Sequence, residues 1–159
     1  NAYAKYSEAG TDYVYNMERL RRKFVTARKL VPAPVSQKAS QPTRYGAIYY
    51  GSTSPAMAEA FAMLEKQGVH VDLMRVRAFP FPDEVMEFIA NHDYVFVVEQ
   101  NESAQLRTML INEGDIDPKR LIRVLHYDGT PITASFIAGR IGDIVKQTNV
   151  TPLRQQVAS

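Results

Sequence analysis

Apolar positions in this chain follow two rhythms, and the switches between them mark out the elements. Tyr94-Val95-Phe96-Val97-Val98 is apolar at every position rather than at alternate ones, so a strand here has both faces covered, as an inner strand of a parallel sheet does. Ala47-Ile48-Tyr49-Tyr50 reads the same way, and Val69 to Val76 and Leu121 to Leu125 are further strands. Between them the apolar residues recur at spacings of three and four, the rhythm of helices packed by one face. Met57, Phe61 and Leu64 mark a helix from Pro55 to about Gln67, capped by Ser54 and ended by Gly68. Val85, Phe88 and Ile89, with Met86 at the margin, mark a short helix capped by Asp83 and running to about Ala90. Leu106, Met109 and Leu110 mark a third, starting at Ser103 and ending near Gly114. Phe136, Ile137, Ile141, Ile144 and Val145 mark a fourth, capped by Thr133. Strands alternating with helices of this length predict an α/β domain of three layers, α/β/α, with a mostly parallel sheet of about five strands.

Ahead of that domain, Asp12 to Val31 reads as a helix with Asp12 as its cap and Met17, Leu20, Phe24, Ala27 and Val31 as its apolar stripe. The stripe needs a partner, in the following domain or in a neighbour. Pro32 and Pro34 stop the helix, and the segment through Pro42 is an extended connector with room for a short edge strand at Val35 to Ala39. The expected organisation is a helical arm and connector over 1–44, the compact domain over 45–147 and a polar, fraying tail over 148–159.

Composition narrows the chemistry. At 159 residues and 45% hydrophobic content the chain suits one domain with a proper core. It has no cysteine, which excludes disulfides, thiolate metal sites and a cysteine nucleophile, so any iron-sulfur cluster must be held by another polypeptide. No apolar run approaches the roughly 20 residues of a membrane span, and no leader peptide opens the chain, so no membrane contact and a cytoplasmic setting are expected. Asn1 in place of an initiator Met suggests an excised piece, with Asn1-Ala2 as a scar. The net charge of +2 is unevenly spread: up to Arg44 nine Lys and Arg stand against three Asp and Glu, and from Tyr45 onward ten stand against fourteen. A basic arm with Tyr3, Tyr6, Tyr13 and Tyr15 suits nucleic acid or an acidic protein surface. The net acidity of the compact domain favours the protein interface, so no nucleic-acid partner is expected.

The motifs that might carry chemistry are sparse. Strand, Gly51-Ser52-Thr53-Ser54-Pro55, then helix has the architecture of a phosphate cradle, but neither GxGxxG nor GxxxxGK[ST] is present, and Pro55 removes an N–H donor. His70, His92 and His126 are isolated, without metal-ligand spacing, and GxSxG is absent. His126-Tyr127-Asp128 at a strand end reads as a turn bonded to local backbone. Glu99-Gln100-Asn101-Glu102-Ser103 is an acidic, amide-rich elbow at the carboxyl end of the inner strand, where sites in open α/β sheets gather. Glu99 and Glu102 could pair as carboxylates, but the preferred reading is that they favour the following helix N-terminus and face solvent or a partner.

The order of motifs is more specific than any one of them. Tyr50-Gly51-Ser52-Thr53, Leu73-Met74-Arg75-Val76-Arg77 leading to Pro80-Phe81-Pro82, Val97-Val98-Glu99-Gln100-Asn101 with Gln105-Leu106, and Tyr127-Asp128-Gly129-Thr130-Pro131-Ile132-Thr133 together resemble the transketolase C-terminal-like domain of 2-oxoacid:acceptor oxidoreductase alpha subunits. Asn16-Met17-Glu18-Arg19-Leu20 and Leu30-Val31-Pro32 look like the segment leading into it, most similar to members acting on 2-oxoglutarate. The resemblance implies an enzyme that oxidatively decarboxylates a 2-oxoacid on thiamine diphosphate with Mg, forms an acyl-CoA and passes electrons through iron-sulfur clusters to ferredoxin. It also implies a first strand antiparallel to the rest, and that the thiamine chemistry lies in an upstream pyrimidine-binding domain and a beta subunit. No catalytic residue, cofactor site or metal site is therefore expected here. The expected role is structural and assembly, with Ser52, Thr53, Glu99, Asn101, Glu102, Gln105 and Asp128 as interface candidates toward the rest of the alpha subunit and the beta subunit. The alternative is a free-standing nucleotide- or flavin-binding module using the Ser52 to Ser54 turn.

Overall fold

A computed structural model describes residues 1–156, with side chains as far as Thr148. The elements in chain order are α1 (Gly10–Arg28), β1 (Val35–Gln37), β2 (Tyr45–Tyr50), α2 (Ser54–Lys66), β3 (Asp72–Val76), α3 (Asp83–Ala90), β4 (Tyr94–Glu99), α4 (Gln105–Gly114), β5 (Leu121–Leu125) and α5 (Ala134–Gln156), with single 3-10 turns at Gly51–Thr53 and Pro118–Arg120. The five strands form one sheet in the order β1-β3-β2-β4-β5. β1 runs antiparallel to β3, and every other pair is parallel. The α/β class, the strand count and the antiparallel first strand expected from the sequence are all present. Residues 157–159, the end of the expected polar tail, lie outside the described residues, and α5 extends past Thr148.

Strand register sorts the apolar residues onto two faces. Ala47 aligns with Leu73 and Phe96, and Ile48 with Met74 and Val97, so alternate positions point to opposite layers. The first set meets α2 and α5 through Met57, Leu64, Ile137 and Ile141. The second meets α3 and α4 through Val85, Ile89, Leu106 and Leu110. β4 is an inner strand with Val95 through Glu99 all buried, as its unbroken apolar run requires.

Several boundaries and caps differ from the sequence reading. β3 covers only Asp72–Val76, because its ladder with β2 begins at Gly46 opposite Asp72; Val69 and Val71 are buried ahead of it without pairing. Asp12 and Asp83 do not cap their helices: Ala9 and Pro82 occupy those positions, and the two carboxylates stand in the first turns, where they still favour the helix dipole. Ser54 is the first residue of α2 rather than its cap, and its hydroxyl donates to the Gly51 carbonyl at 3.0 Å. Thr133 does cap α5, accepting from the Phe136 N–H at 3.2 Å. Gly68 ends α2 as expected, its φ of 71° being one that a side chain disfavours.

The edge strand is fastened by a buried acid. Asp72 accepts from Lys38 Nζ at 2.6 Å and from the Ala39 N–H at 2.9 Å, and its Oδ2 lies 3.2 Å from Nε2 of buried His92. The other ring nitrogen, Nδ1, donates to the Phe88 carbonyl at 2.7 Å, so one network joins β1, β3 and the end of α3. Burial pushes the Asp72 carboxyl up, but the Ala39 N–H, Lys38 and His92 outweigh it and hold it below the usual carboxylate range. Gly46 is required where this network meets β2: a Cβ there would stand 2.6 Å from Phe88 Cε1 and 3.2 Å from His92 Cγ.

Gly46→Ala is expected to lower stability by about 1–3 kcal/mol through overpacking against α3, read as a lower urea midpoint; an unchanged midpoint would show that the α3 layer yields freely. Because Asp72 is depressed in the folded state, its contribution is fully present above its unfolded pKa and is lost as pH falls through the lower folded value. Stability should therefore decline below about pH 4, and Asp72→Asn should flatten that decline while lowering stability at neutral pH. Equal acid sensitivity in the two proteins would assign it elsewhere.

Candidate functional site

The strand order reverses at β2. The chain leaves β2 through α2 to reach β3 on one side and returns through α3 to place β4 on the other, so the crevice at the carboxyl ends of β2 and β4 is the position where ligands settle in such sheets. The two loops bordering it are Gly51–Thr53 and the elbow after Glu99. Gln100 joins them: its Nε2 donates to Ser52 Oγ at 3.1 Å and Thr53 Oγ1 at 3.3 Å. Its Oε1 accepts from the Ile132 N–H at 3.1 Å, bringing in the loop before α5. One side-chain amide thus laces all three loops around the crevice.

Glu99 is the last residue of β4 and is completely buried. β4 and its pleat point this side chain to the α3/α4 layer, under the start of α4. Its Oε2 accepts from the Leu106 N–H at 2.8 Å and its Oε1 from the Arg107 N–H at 3.0 Å. Asn101 Nδ2 donates to Oε2 at 2.8 Å, and Asn101 Oδ1 accepts from the Gln105 N–H at 3.1 Å. Three consecutive free amides of the first turn are therefore met by two side chains from the preceding loop. The residue in the N-cap position, Ala104, stands in the left-handed region at φ 51° and provides no side-chain acceptor. This is why α4 begins at Gln105 rather than at Ser103, whose hydroxyl instead donates to Glu102 at 2.9 Å.

The expected surface is thereby corrected in two places. Glu99 does not face solvent or a partner, because a carboxylate here can only be accommodated inside with its oxygens hydrogen-bonded. Thr53 is likewise buried, at 2% exposure. Ser52, Glu102 and Gln105 are exposed and Asn101 is half-buried, all around the same crevice. Asp128 is exposed on the turn after β5 and serves that turn: Thr130 donates to it through its hydroxyl at 2.7 Å and its N–H at 2.8 Å, and these bonds hold its carboxyl below the usual range. His126 closes the same turn, with Nε2 3.1 Å from the Thr130 carbonyl and 3.1 Å from Asp128 Oδ1. Gln100 is absent from the interface candidates above because its partners lie 48, 47 and 32 residues away. Its place just beyond an inner strand was its only signal.

The two helix starts bordering the crevice offer an anion few free amides. The N-terminus of α4, where a phosphate would gain from free amides, already holds an internal carboxylate. The other bordering helix, α2, has Pro55 in its first turn. Among the described residues no three His, Asp or Glu side chains are grouped to hold a metal ion, and the sequence has no thiolate for an iron-sulfur cluster. Among the same residues no helix is long and apolar enough to cross a membrane.

Residues 44–147 match the family model described as pyruvate:ferredoxin oxidoreductase core domain II. The chain is 26% identical over 149 residues to the 2-oxoacid:ferredoxin oxidoreductase subunit alpha of Saccharolobus solfataricus, covering 91% of this chain and 23% of that one. It is 31% identical over 101 residues to the alpha subunit of 2-oxoacid:ferredoxin oxidoreductase 2 of Aeropyrum pernix, covering 62% of this chain and 15% of that one. The chain thus spans less than a quarter of the length of these curated relatives. Its fold is shared with a 2-oxoglutarate:ferredoxin oxidoreductase from Magnetococcus marinus, solved with 2-oxoglutarate, coenzyme A and succinyl-CoA bound: the TM-score is 0.70 at 23% identity, over 87% of this chain and 24% of the other.

Glu99→Ala is expected to cost about 2–3 kcal/mol, since it leaves two α4 amides and the Asn101 amide without their acceptor. Glu102→Ala, one of the exposed elbow positions, should stay within about 0.5 kcal/mol. Paired denaturation curves check this, and equal losses would refute the capping role.

Proposed function

Because the chain belongs to the family of pyruvate:ferredoxin oxidoreductase core domain II, we propose that it is the structural and assembly domain near the C-terminus of the alpha subunit of a 2-oxoacid:ferredoxin oxidoreductase. The observation that carries this reading is the match of the whole compact domain, residues 44–147, to a core domain of that family. The alpha-subunit names of the two curated relatives support it. The parent enzyme oxidatively decarboxylates a 2-oxoacid, with 2-oxoglutarate the first to test, forms an acyl-CoA and delivers electrons to a ferredoxin-type acceptor in the cytoplasm. Thiamine diphosphate, its Mg and the iron-sulfur clusters are held by the pyrimidine-binding part of the alpha subunit, by the beta subunit or by other polypeptides.

The residues present here do not fit those groups. Activating a thiamine ring takes a carboxylate free to meet a pyrimidine nitrogen, and a diphosphate takes a metal on oxygen ligands. The buried carboxylate at the crevice, Glu99, is bonded to three donors of its own elbow, and no metal-holding group exists among the described residues. What this chain contributes is surface: Ser52, Asn101, Glu102 and Gln105 around the laced crevice, and Asp128 on the neighbouring turn, are its contacts to the rest of the alpha subunit and to the beta subunit.

The full alpha subunit, coexpressed with its beta subunit, is expected to reduce an artificial one-electron acceptor only with a 2-oxoacid, coenzyme A and thiamine diphosphate all present. The 159-residue chain alone should show no thiamine diphosphate binding by calorimetry. Tight binding by the isolated chain would overturn the assignment, and a rise in its melting temperature with FMN or a nucleotide would replace it with a ligand-binding module.

A further inference from the structure

α1 is a helix of 19 residues in which no residue is buried. Helices in proteins are held mainly by packing one apolar face, and this one has a face with nothing on it. Tyr13, Met17, Leu20 and Phe24 recur at helical spacing and are 69%, 48%, 39% and 51% exposed. Near its end the helix touches its own domain, where Phe24 packs edge-on against Phe79 at 6.2 Å between ring centroids and Arg28 lies 3.4 Å from Asp83.

Phe79 carries the apolar surface onward. It packs edge-on against Phe81 at 5.2 Å, and both line an open groove of about 370 Å³ at the carboxyl ends of β2 and β3, together with Tyr50, Leu106 and Met109. Tyr50, Phe79 and Met109 are 40%, 41% and 38% exposed. A continuous apolar surface therefore runs from the middle of α1 over Phe79 into the groove, larger than scattered exposed residues would make.

Its borders are basic. At 3.6 residues per turn, Arg19 and Lys23 flank the α1 stripe on one side beside Asp12, and Arg21 and Arg28 flank it on the other, Arg21 paired with Glu18 at 3.0 Å and Arg28 with Asp83, while Arg77 stands at the groove. Residues 1–44 hold nine Lys and Arg against three Asp and Glu, so two copies of α1 laid stripe to stripe would bring two net positive arms together.

We propose that α1 and the adjoining groove form one docking surface for an acidic amphipathic helix of another part of the parent enzyme, whose apolar residues cover Met17, Leu20, Phe24 and Phe79 and whose carboxylates meet Arg19, Lys23 and Arg77. This rests on the assembly role proposed above and adds the surface and the chemistry of what covers it. The basic borders select an acidic helix, and the apolar stripe supplies most of the hold.

The test places a photo-crosslinking phenylalanine at Leu20 or Met109 in the full-length subunit, assembled with its beta subunit, with Glu59 on the opposite layer as control, and identifies the linked peptides by mass spectrometry. Leu20 and Met109 are expected to capture one amphipathic segment of net negative charge, and Glu59 should not capture it. The Arg19→Glu, Lys23→Glu pair should weaken assembly at least tenfold, against less than twofold for Lys66→Glu. Links to another copy of this chain, links to a neutral or basic segment, an unlinked Leu20 in an active assembly, or salt-sensitive retention of RNA or anionic vesicles by α1 would each overturn the proposal. An assembly that gives the expected links but oxidises no 2-oxoacid would leave the docking surface standing and remove the parent enzyme's proposed activity instead.

Discussion

The interaction on which the rest of the domain depends is the carboxylate of Glu99 beneath the first turn of α4. A carboxylate withdrawn from water costs several kcal/mol unless its oxygens are fully bonded, and here the Leu106 and Arg107 amides and the Asn101 side chain meet them. The same bonds fix where α4 starts and how it leaves β4, and the negative charge sits at the positive end of the helix dipole. A helix whose start is fixed in this way presents Leu106 and Leu110 to the sheet in one register, which the α3/α4 layer needs.

A second consequence concerns the crevice. With the α4 amides occupied from inside and Gln100 bridging three loops, the polar groups between the carboxyl ends of β2 and β4 are largely engaged by the chain itself. The proposed place in a larger oxidoreductase and these self-satisfied loops are consistent with each other. The proposed assembly role asks this end of the sheet for a firm shape rather than for reactive groups.

The two halves of the chain are built on opposite terms. From Tyr45 onward both faces of the sheet are covered, tightly enough that Gly46 leaves no room for a methyl group beside Phe88. The edge strand is held by Asp72, which binds Lys38, the Ala39 amide and His92 at once. α1, by contrast, carries apolar side chains with no cover and a surplus of positive charge. Burial in this chain is concentrated around the sheet, and much of its exposed large apolar surface is in the arm.

Much of this was legible in the residues. Short apolar runs located the strands and period-3.6 spacing located the helices, because a strand covered on both faces is apolar throughout and a helix packed by one face is apolar once per turn. The unbroken run at Tyr94 to Val98 identified an inner strand, and the order of short motifs pointed to the family. The role of Glu99 was not legible: it is an acidic residue next to acidic and amide residues, and nothing local distinguishes a solvent-facing carboxylate from one turned under the next helix. That choice depends on the pleat of β4, the left-handed turn at Ala104 and the layer above, which come together only when the sheet forms. The partners of Gln100 were hidden for the same reason, since strand order alone brings residues 32 to 48 positions apart within hydrogen-bonding distance. Local spacing is a property of neighbouring residues and survives in the sequence, whereas the direction of a single polar side chain is decided by which distant groups the fold places beside it.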